Sequence, residues 1–492
     1  MKVLLFYIGT PSPILEIEME LIKKHDKAGD IVSVVQCTGN LPNCHWNLEH
    51  SESVCGVCRS KFRHGLDSLN LGENVNLKEF PTSDEVTNLD FPESFDSNED
   101  VSNYEYDGEK IGFGTTATLV SLTRDHRFDK AKHLEDIYRT LRTSVIIYDT
   151  LKKQMEEFKP DLVYFFNGRI ATHLPAKLLC KQLGLNYYSY ETSRVHNHYR
   201  QFKNTTVHEP HISNVKNWTD EQLKLGESLL RRMRGGVDPS IKNFNQDQKK
   251  GVLPEGFNPN KRNIAIFCGT LDEYEGVEWG TNKIYKPDQT AGISKILESL
   301  EHRSDFIFYI RLHPHMADLP RTNSQLSDVQ SISDRYSNAY IIWPEDEMDT
   351  YALMENCEKV VTFGSSTGVE ATYWGRPSIL ADFSIFQMFE YAYMPDTHEE
   401  VIQLLLTNNL EPKAAESSIK AVYTLYYRGA EPYKFFEESQ RQNGVGSLTY
   451  NGVRLRAARL PILWRWLCVF PRRFLRIVRN PSLVLKKYNV LW

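Results

Sequence analysis

The chain reads as an α/β protein with two Rossmann-like, doubly wound domains facing a cleft and a basic amphipathic C-terminal tail. Three observations predict this. Short apolar runs alternate with helical text in two separate series. At 492 residues the chain exceeds one ordinary core. Its 41% hydrophobic and 25% charged residues exclude a collagenous, coiled-coil or wholly disordered chain.

The first series opens with the run Lys2 to Thr10, then a helical pattern through Ile14, Ile17, Leu21 and Ile22 that closes at Gly29, then a second run, Ile31 to Val35. From Pro81 to Lys110 ten Asp or Glu with few aliphatic residues predict a solvated loop or partly disordered insertion. Helical text through Leu134, Ile137, Leu141, Val145 and Ile146 leads to the run Leu162 to Phe166. A helix from Leu174 to Leu183 and a strand from Asn186 to Tyr190 complete the series. An amphipathic helix, Glu221 to Met233, lies in a polar stretch that marks the boundary. The second series is Asn263 to Cys268, Phe306 to Leu312, Tyr340 to Trp343, Lys359 to Phe363 and Ser378 to Ala381. The expected units are an N-terminal domain over 1–230, a C-terminal domain over 231–438 and a tail over 439–492.

No uncharged apolar run approaches the ~20 residues of a membrane-spanning helix, and the opening run has no small-residue cleavage site behind it, so no export signal is expected. Eight cysteines are too few for a disulfide scaffold in so long a chain, which predicts a reducing compartment, the cytoplasm. The net charge of -6 hides an asymmetry. No Asp or Glu follows Glu438, while eleven Lys and Arg do, so the tail carries +11 and the rest -17. If Ile462 to Arg479 were helical, Leu463, Trp466, Leu467, Phe470 and Phe474 would share one face and Arg465, Arg472, Arg476 and Arg479 the other. Pro471 breaks it into two short helices. The pattern suits an anionic membrane surface; docking on the protein would use the same apolar face, and a nucleic-acid arm would have less need of one.

The sharpest local pattern is Gly364-Ser365-Ser366-Thr367-Gly368-Val369-Glu370, a hydroxyl-rich turn between a strand and a helix. Free amides, hydroxyls and the positive end of a helix would suit a phosphate; an ordinary N-cap would read the same way. Arg311 and His313 stand where an upstream strand ends, so a guanidinium and an imidazole would lie on the same sheet edge. In the first domain Asn167 and Arg169 follow one strand and Glu191 ends the next. Asp272 and Glu273 lie in the first loop of the second domain. Glu191 and Asp272 are the candidate bases for taking a proton from an acceptor hydroxyl. Each carboxylate reads equally as a solvated loop acid or helix cap. Cys37, Cys44, Cys55 and Cys58, with their C-x-x-C half, could form a structural zinc site, alone or with one of His45, His50 and His64, or a buried thiol cluster, the pairing otherwise being chance or redox.

The strand-terminal Arg-x-His-Pro of Arg311 to Pro314, the Gly-Ser-Ser-x-Gly-x-Glu-Ala of Gly364 to Ala371 and the following Gly-x-Pro resemble bacterial surface-polysaccharide glycosyltransferases of the GT-B fold, similar to capsule sialyl- and Kdo-transferases and CDP-glycerol transferases. The cysteine loop, Phe166 to Arg169 and Ala265 to Glu273 are similar to capsule and lipopolysaccharide biosynthesis proteins. The resemblance implies that Arg311, His313, Gly364, Ser365, Ser366, Thr367, Gly368 and Glu370 hold the nucleotide and phosphates of a nucleotide-sugar donor. Asn167, Arg169 and Glu273 would line the donor or acceptor cleft. No Asp-x-Asp metal motif is apparent, so inverting transfer without a catalytic metal is expected, to a lipid-linked or growing glycan at the inner face of the plasma membrane. Transfer of a CDP-polyol phosphate, a sugar epimerase and a non-catalytic scaffold of a polysaccharide assembly complex are the rival readings. No nucleic-acid partner is expected.

Overall fold

The computed structural model describes residues 1–455 apart from 10, 82–88, 90, 210–216, 237–246, 275, 278–283 and 442–445. The described chain contains β1 (Lys2–Tyr7), β2 (Ile31–Gln36), β3 (Val75–Glu79), β4 (Leu162–Phe166), β5 (Tyr187–Thr192) and β6 (His198–Lys203). A second series follows: β7 (Arg262–Phe267), β8 (Phe306–Arg311), β9 (Ala339–Ile342), β10 (Lys359–Thr362) and β11 (Ser378–Leu380). Three short strands end it: β12 (Ala430–Pro432), β13 (Phe436–Glu438) and β14 (Leu448–Tyr450).

The first sheet runs β12-β6-β5-β4-β1-β2-β3 and the second β11-β10-β7-β8-β9. Counted within each series, both cores have the order 3-2-1-4-5 of the doubly wound fold, with every pair inside those cores parallel. Helices cover both faces, so the central strands are apolar on both. Val3, Leu5 and Tyr7 pack with Ile17 and Leu21 of the helix Ile14–Lys27 on one face. Leu4, Phe6 and Ile8 pack with Val145, Ile146 and Leu151 of the helix Leu134–Phe158 on the other. In the second domain Ile264, Ile266 and Cys268 alternate with Ala265 and Phe267 in the same manner. Each such side chain contributes ~1.5–3 kcal/mol by leaving water.

The progression of strand order reverses at β1 in one sheet and at β7 in the other. The crevices at the carboxyl ends of β1/β4 and of β7/β10 are therefore the places where such sheets bind ligands.

Four features differ from the sequence expectations. Strands β3, β6 and β12 were not foreseen: they lie at or beside the sheet margins, and β3 is exposed over most of its length, so it lacks the apolar run of a buried strand. The acidic insertion is ordered over its described second half. Ser97 makes a capping box for the helix Asn98–Ser102, and Phe95 and Val101 are buried against Leu119, Phe128 and Leu141. The helix Asp220–Gly235 packs its Leu229 and Leu230 on Val369, Leu380, Ala421 and Val422, on the second-domain side of the expected boundary. Finally, the chain returns to the first domain before residue 438. Strand β12 pairs antiparallel with β6, and Tyr433, Phe436, Leu448 and Leu455 join the first core. The buried Glu20 carboxylate accepts from the amides of Lys434, Phe435 and Phe436 at 2.7, 2.9 and 3.1 Å. The amphipathic pattern of Ile462 to Arg479 lies outside the described residues. Among those described, no helix is long and apolar enough to cross a membrane.

Candidate functional site

At the second crevice Phe267 of β7 is in register with Thr362 of β10 on one side and Arg311 of β8 on the other. The serine turn and the Arg311–His313 corner thus share one sheet edge but flank the tip of β7, two strand spacings apart, roughly 10 Å. The tip of β7 therefore stands between them. Gly364 has a φ of +106°, and a Cβ there would lie 2.7 Å from the Phe383 carbonyl oxygen and 3.0 Å from the Tyr274 ring. A Cβ on Gly269 would also collide with that ring. The Tyr274 ring therefore packs against both Gly269 and Gly364, across the strand tips where a diphosphate would sit, and burial pushes its phenol pKa up. Gly368 serves close packing of the helix Thr367–Tyr373: a Cβ would meet Thr362 Oγ1 at 2.8 Å and Ser378 Oγ at 2.9 Å.

Ser365 Oγ accepts from the Thr367 amide at 3.3 Å and donates to Thr367 Oγ1 at 3.1 Å, whereas Ser366, at the cap position itself, makes no side-chain cap bond. Glu370 is buried and accepts from the Tyr351 hydroxyl, and burial raises its carboxyl to about 7. Arg311 is turned away from the serine turn. Both its terminal nitrogens donate to the Asp346 carbonyl at 3.3 Å, while its buried Nε has no partner, and burial lowers its pKa to about 10. The phosphate fork expected of Arg311 is closed on backbone instead. His313 accepts from the His315 amide at 3.1 Å through Nδ1. Glu273 stands beside both rings, its Oε1 3.8 Å from His315 Nδ1.

At the first crevice Asn167 and Gly168 leave β4 with φ of 58° and 84°. That turn aims Asn167 Nδ2 at Glu191 Oε2, 3.0 Å away, and at His208 Nε2, 2.9 Å away. Glu191 Oε1 accepts from the Thr192 amide at 2.9 Å, so both carboxylate oxygens are held. Arg169 donates its amide to Asn167 Oδ1 at 3.3 Å. Burial lowers the pKa of its guanidinium, and the fields of Glu191, Glu273 and Asp272 push it back up. Arg169 thus lies within electrostatic reach of carboxylates from both domains without an ion pair to any of them.

The domains are joined by a segment the sequence reading passed over, Arg124-Asp125-His126-Arg127. Arg124 Nε lies 3.5 Å from Asp272 Oδ2, and its Nη2 donates to the His315 carbonyl at 2.9 Å. Asp125 Oδ2 accepts from the Ser324 amide at 3.0 Å, and Arg127 pairs with Asp328. Asp272 therefore already holds an interdomain partner, which sets it apart from Glu191 as a candidate base. Four charged or titratable residues in a row after an apolar helix were the available signal. Tyr274 and His208 were missed as well, and nothing local in the sequence marks either.

Cys37, Cys44, Cys55 and Cys58 gather at the carboxyl edge of the first sheet. The Tyr7 hydroxyl lies 3.0 Å from Cys58 Sγ, and Asn47 Nδ2 donates to Cys55 Sγ at 3.3 Å. Burial pushes the Cys44 thiol up to about 12 and Cys58 to about 11. Among the described residues, the set of three His, Cys, Asp or Glu ligand atoms lying within 4.8 Å of one another is His126, Asp288 and Asp328; no three of the cysteines meet that spacing. In that set Asp288 caps the helix Gln289–Leu300 and Asp328 pairs with Arg127.

No protein-family profile and no curated protein matches the chain. Among solved structures it is similar to the Thermosulfurimonas dismutans KpsC beta Kdo 2,4 transferase at 14% identity and a TM-score of 0.34, over 54% of this chain and 80% of that one. It is also similar to the UDP-GlcNAc 2-epimerase from Neisseria meningitidis bound to UDP-GlcNAc at 13% identity and a TM-score of 0.27, over 86% and 98%. Likeness at this level carries no weight on activity. What stands is the topology: two doubly wound, mostly parallel sheets, each with its own reversal of strand order.

Proposed function

We propose that this chain is a glycosyltransferase of the GT-B kind that moves a sugar from a nucleotide-sugar donor to a lipid-linked or growing surface polysaccharide. The observation that carries the reading is the pairing of two equivalent crevices, with Arg169 of the first in the field of Asp272 and Glu273 from the second. The second crevice takes the donor. Amides and hydroxyls of Ser365, Ser366 and Thr367, with His313, receive the phosphates once the Tyr274 ring gives way. Asp272 and Glu273 face the donor hydroxyls. Glu191 takes the proton of the acceptor hydroxyl as that oxygen bonds to the anomeric carbon. The bond to the leaving phosphate breaks on the opposite face, inverting the centre. Stabilisation of the departing charge by fixed donors makes the transfer metal-independent in this reading. The cysteine quartet is a structural cluster, for zinc or as buried thiols. The basic tail holds the enzyme at the anionic inner face of the membrane.

Thermal-shift titration with CMP, CDP, UDP and GDP tests the donor seat. One nucleotide should stabilise the protein saturably, and His313→Ala and Ser366→Ala should each weaken it about tenfold, the scale of one charge-assisted hydrogen bond. Turnover should survive a chelator. The position of Tyr274 favours a second reading, a scaffold whose phosphate seat is permanently filled. No stabilisation by any nucleotide would support that reading and overturn the first. Product mass separates sugar transfer from polyol-phosphate transfer.

A further inference from the structure

A second group of chemistry-bearing side chains lies where the segment Arg124 to Arg127 of the first domain meets the second domain. His126 is buried there, with its Nε2 3.3 Å from Asp288 Oδ2. Asp328 completes the set: one ligand atom from each of the three lies within 4.8 Å of the others. Ligands held ~2.1 Å from one ion stand up to ~4.2 Å apart, so small side-chain movements separate this set from a coordination sphere.

The surroundings leave the inward-facing atoms available. Asp288 uses Oδ1 for the amides of Thr290 and Ala291, at 2.9 and 3.2 Å, which caps the helix Gln289–Leu300 and leaves Oδ2 turned to His126. Behind the ring, His126 Nδ1 is 3.8 Å from Asp125 Oδ1, so a proton on Nδ1 would face a carboxylate and Nε2 would be free to ligate. The charges are uneven as well. Asp125, Asp288 and Asp328 meet one guanidinium, Arg127, which is 47% exposed and also reaches the Ser324 carbonyl at 3.3 Å. With His126 neutral, as a metal ligand must be, two negative charges remain for a divalent ion to match.

Room for coordinated water lies beside the set. A groove of about 280 Å³ between the helices Gln289–Leu300 and Ser324–Arg335 is walled by Arg127, Asp288, Thr290, Asp328, Arg335 and Tyr336. Arg335 pairs with Glu298 at 3.6 Å. Tyr336, 2% exposed, brings to this wall a hydroxyl that has no hydrogen-bond partner, a polar group that a bound water would satisfy.

We propose that His126, Asp288 and Asp328 form a divalent-cation site that ties the two domains together, with water from the groove completing the shell. Arg127 yields Asp328 to the ion and keeps the Ser324 carbonyl. One imidazole nitrogen with two carboxylates suits Mn²⁺ or Zn²⁺ better than Ca²⁺. The ion bridges the domains and takes no part in bond making, so the inference stands apart from the transferase reading.

Mn²⁺ alone is the probe, because the thiols of the cysteine quartet favour softer ions. The full chain, stripped with chelator, is titrated by calorimetry and by loss of the paramagnetic resonance signal of the free ion. Wild type should bind Mn²⁺ saturably and melt at a higher temperature with it. Asp288→Asn keeps a good helix cap and should weaken binding by about tenfold or more, as should His126→Gln. Circular dichroism reports folding, and Asp328→Asn, at a partly exposed position, replaces a variant that fails to fold. Bound Mn²⁺ should also slow hydrogen exchange together in Arg124 to Arg127 and in the first turn of the helix Gln289–Leu300. No saturable binding by wild type overturns the inference, and so does undiminished affinity in the folded variants, which would place the ion elsewhere. Protection confined to one domain refutes the tie. Nucleoside diphosphate binding measured in chelator judges the transferase reading separately.

Discussion

The two crevices have the same strand order and opposite contents. At the tips of β7 and β10 the groups are local in sequence, a glycine and serine turn, and an aromatic ring packs into the gap. At the tips of β1 and β4 the groups come from distant places, with Asn167, Glu191 and His208 joined by hydrogen bonds and Arg169 left with two unmatched donors. Topology fixes where a ligand would go, while the side chains at the strand tips fix which chemistry it would meet. One crevice presents backbone amides and hydroxyls, the other charged side chains.

The comparison breaks most sharply at Glu191. Glu191→Gln keeps the side-chain shape and one of the two accepted hydrogen bonds but removes the base, so kcat should fall about 10²–10⁴-fold with little change in KM. Steady-state rates of sugar transfer check this, and near-normal turnover would move the base elsewhere. In the other crevice, Tyr274→Ala should lower stability by about 3 kcal/mol, the scale of an aromatic truncation in a packed site. It should also tighten nucleotide binding, because nothing has to be displaced. Chemical denaturation and nucleotide titration read the two effects, and weaker binding would make the ring part of the donor seat rather than an obstruction. The smallest effect sharpens the contrast in charge. Glu370 binds its proton more tightly folded than unfolded, about 7 against 4.5, because burial disfavours the carboxylate. Its contribution to stability is therefore complete below pH 4.5 and is lost as pH rises through about 7. Glu370→Gln should flatten that decline and gain at most about 3 kcal/mol relative to wild type at pH 8, the limit set by the linkage. Urea melts from pH 5 to pH 8 measure it, and a parallel decline in both proteins would contradict it.

The alternation of the two strand series was legible in the sequence because buried parallel strands need unbroken apolar text, as in Val3 to Ile8 and Ile264 to Cys268. The margins of the first sheet were not, since Val75 to Glu79 is held by backbone pairing with β2 and buries little. The serine turn could be read because its parts are consecutive. The role of Arg311 could not: the residue is at the strand tip as expected, but the direction of its guanidinium depends on the Asp346 carbonyl, which packing brings to it. The same holds for Glu20, whose three amide donors arrive from residues 434–436, more than four hundred positions away.

Composition, apolar period and glycine placement by themselves determined two wound α/β domains and one hydroxyl-rich turn, because these depend on neighbours within a few residues. Only the tertiary structure decided that Tyr274 covers that turn, that Arg124 ties Asp272 across the domains, and that Arg169 and Arg428 reach burial with donors unmatched. Those outcomes depend on which distant groups arrive at the same place and on how much water is left there, and both are properties of the packed chain.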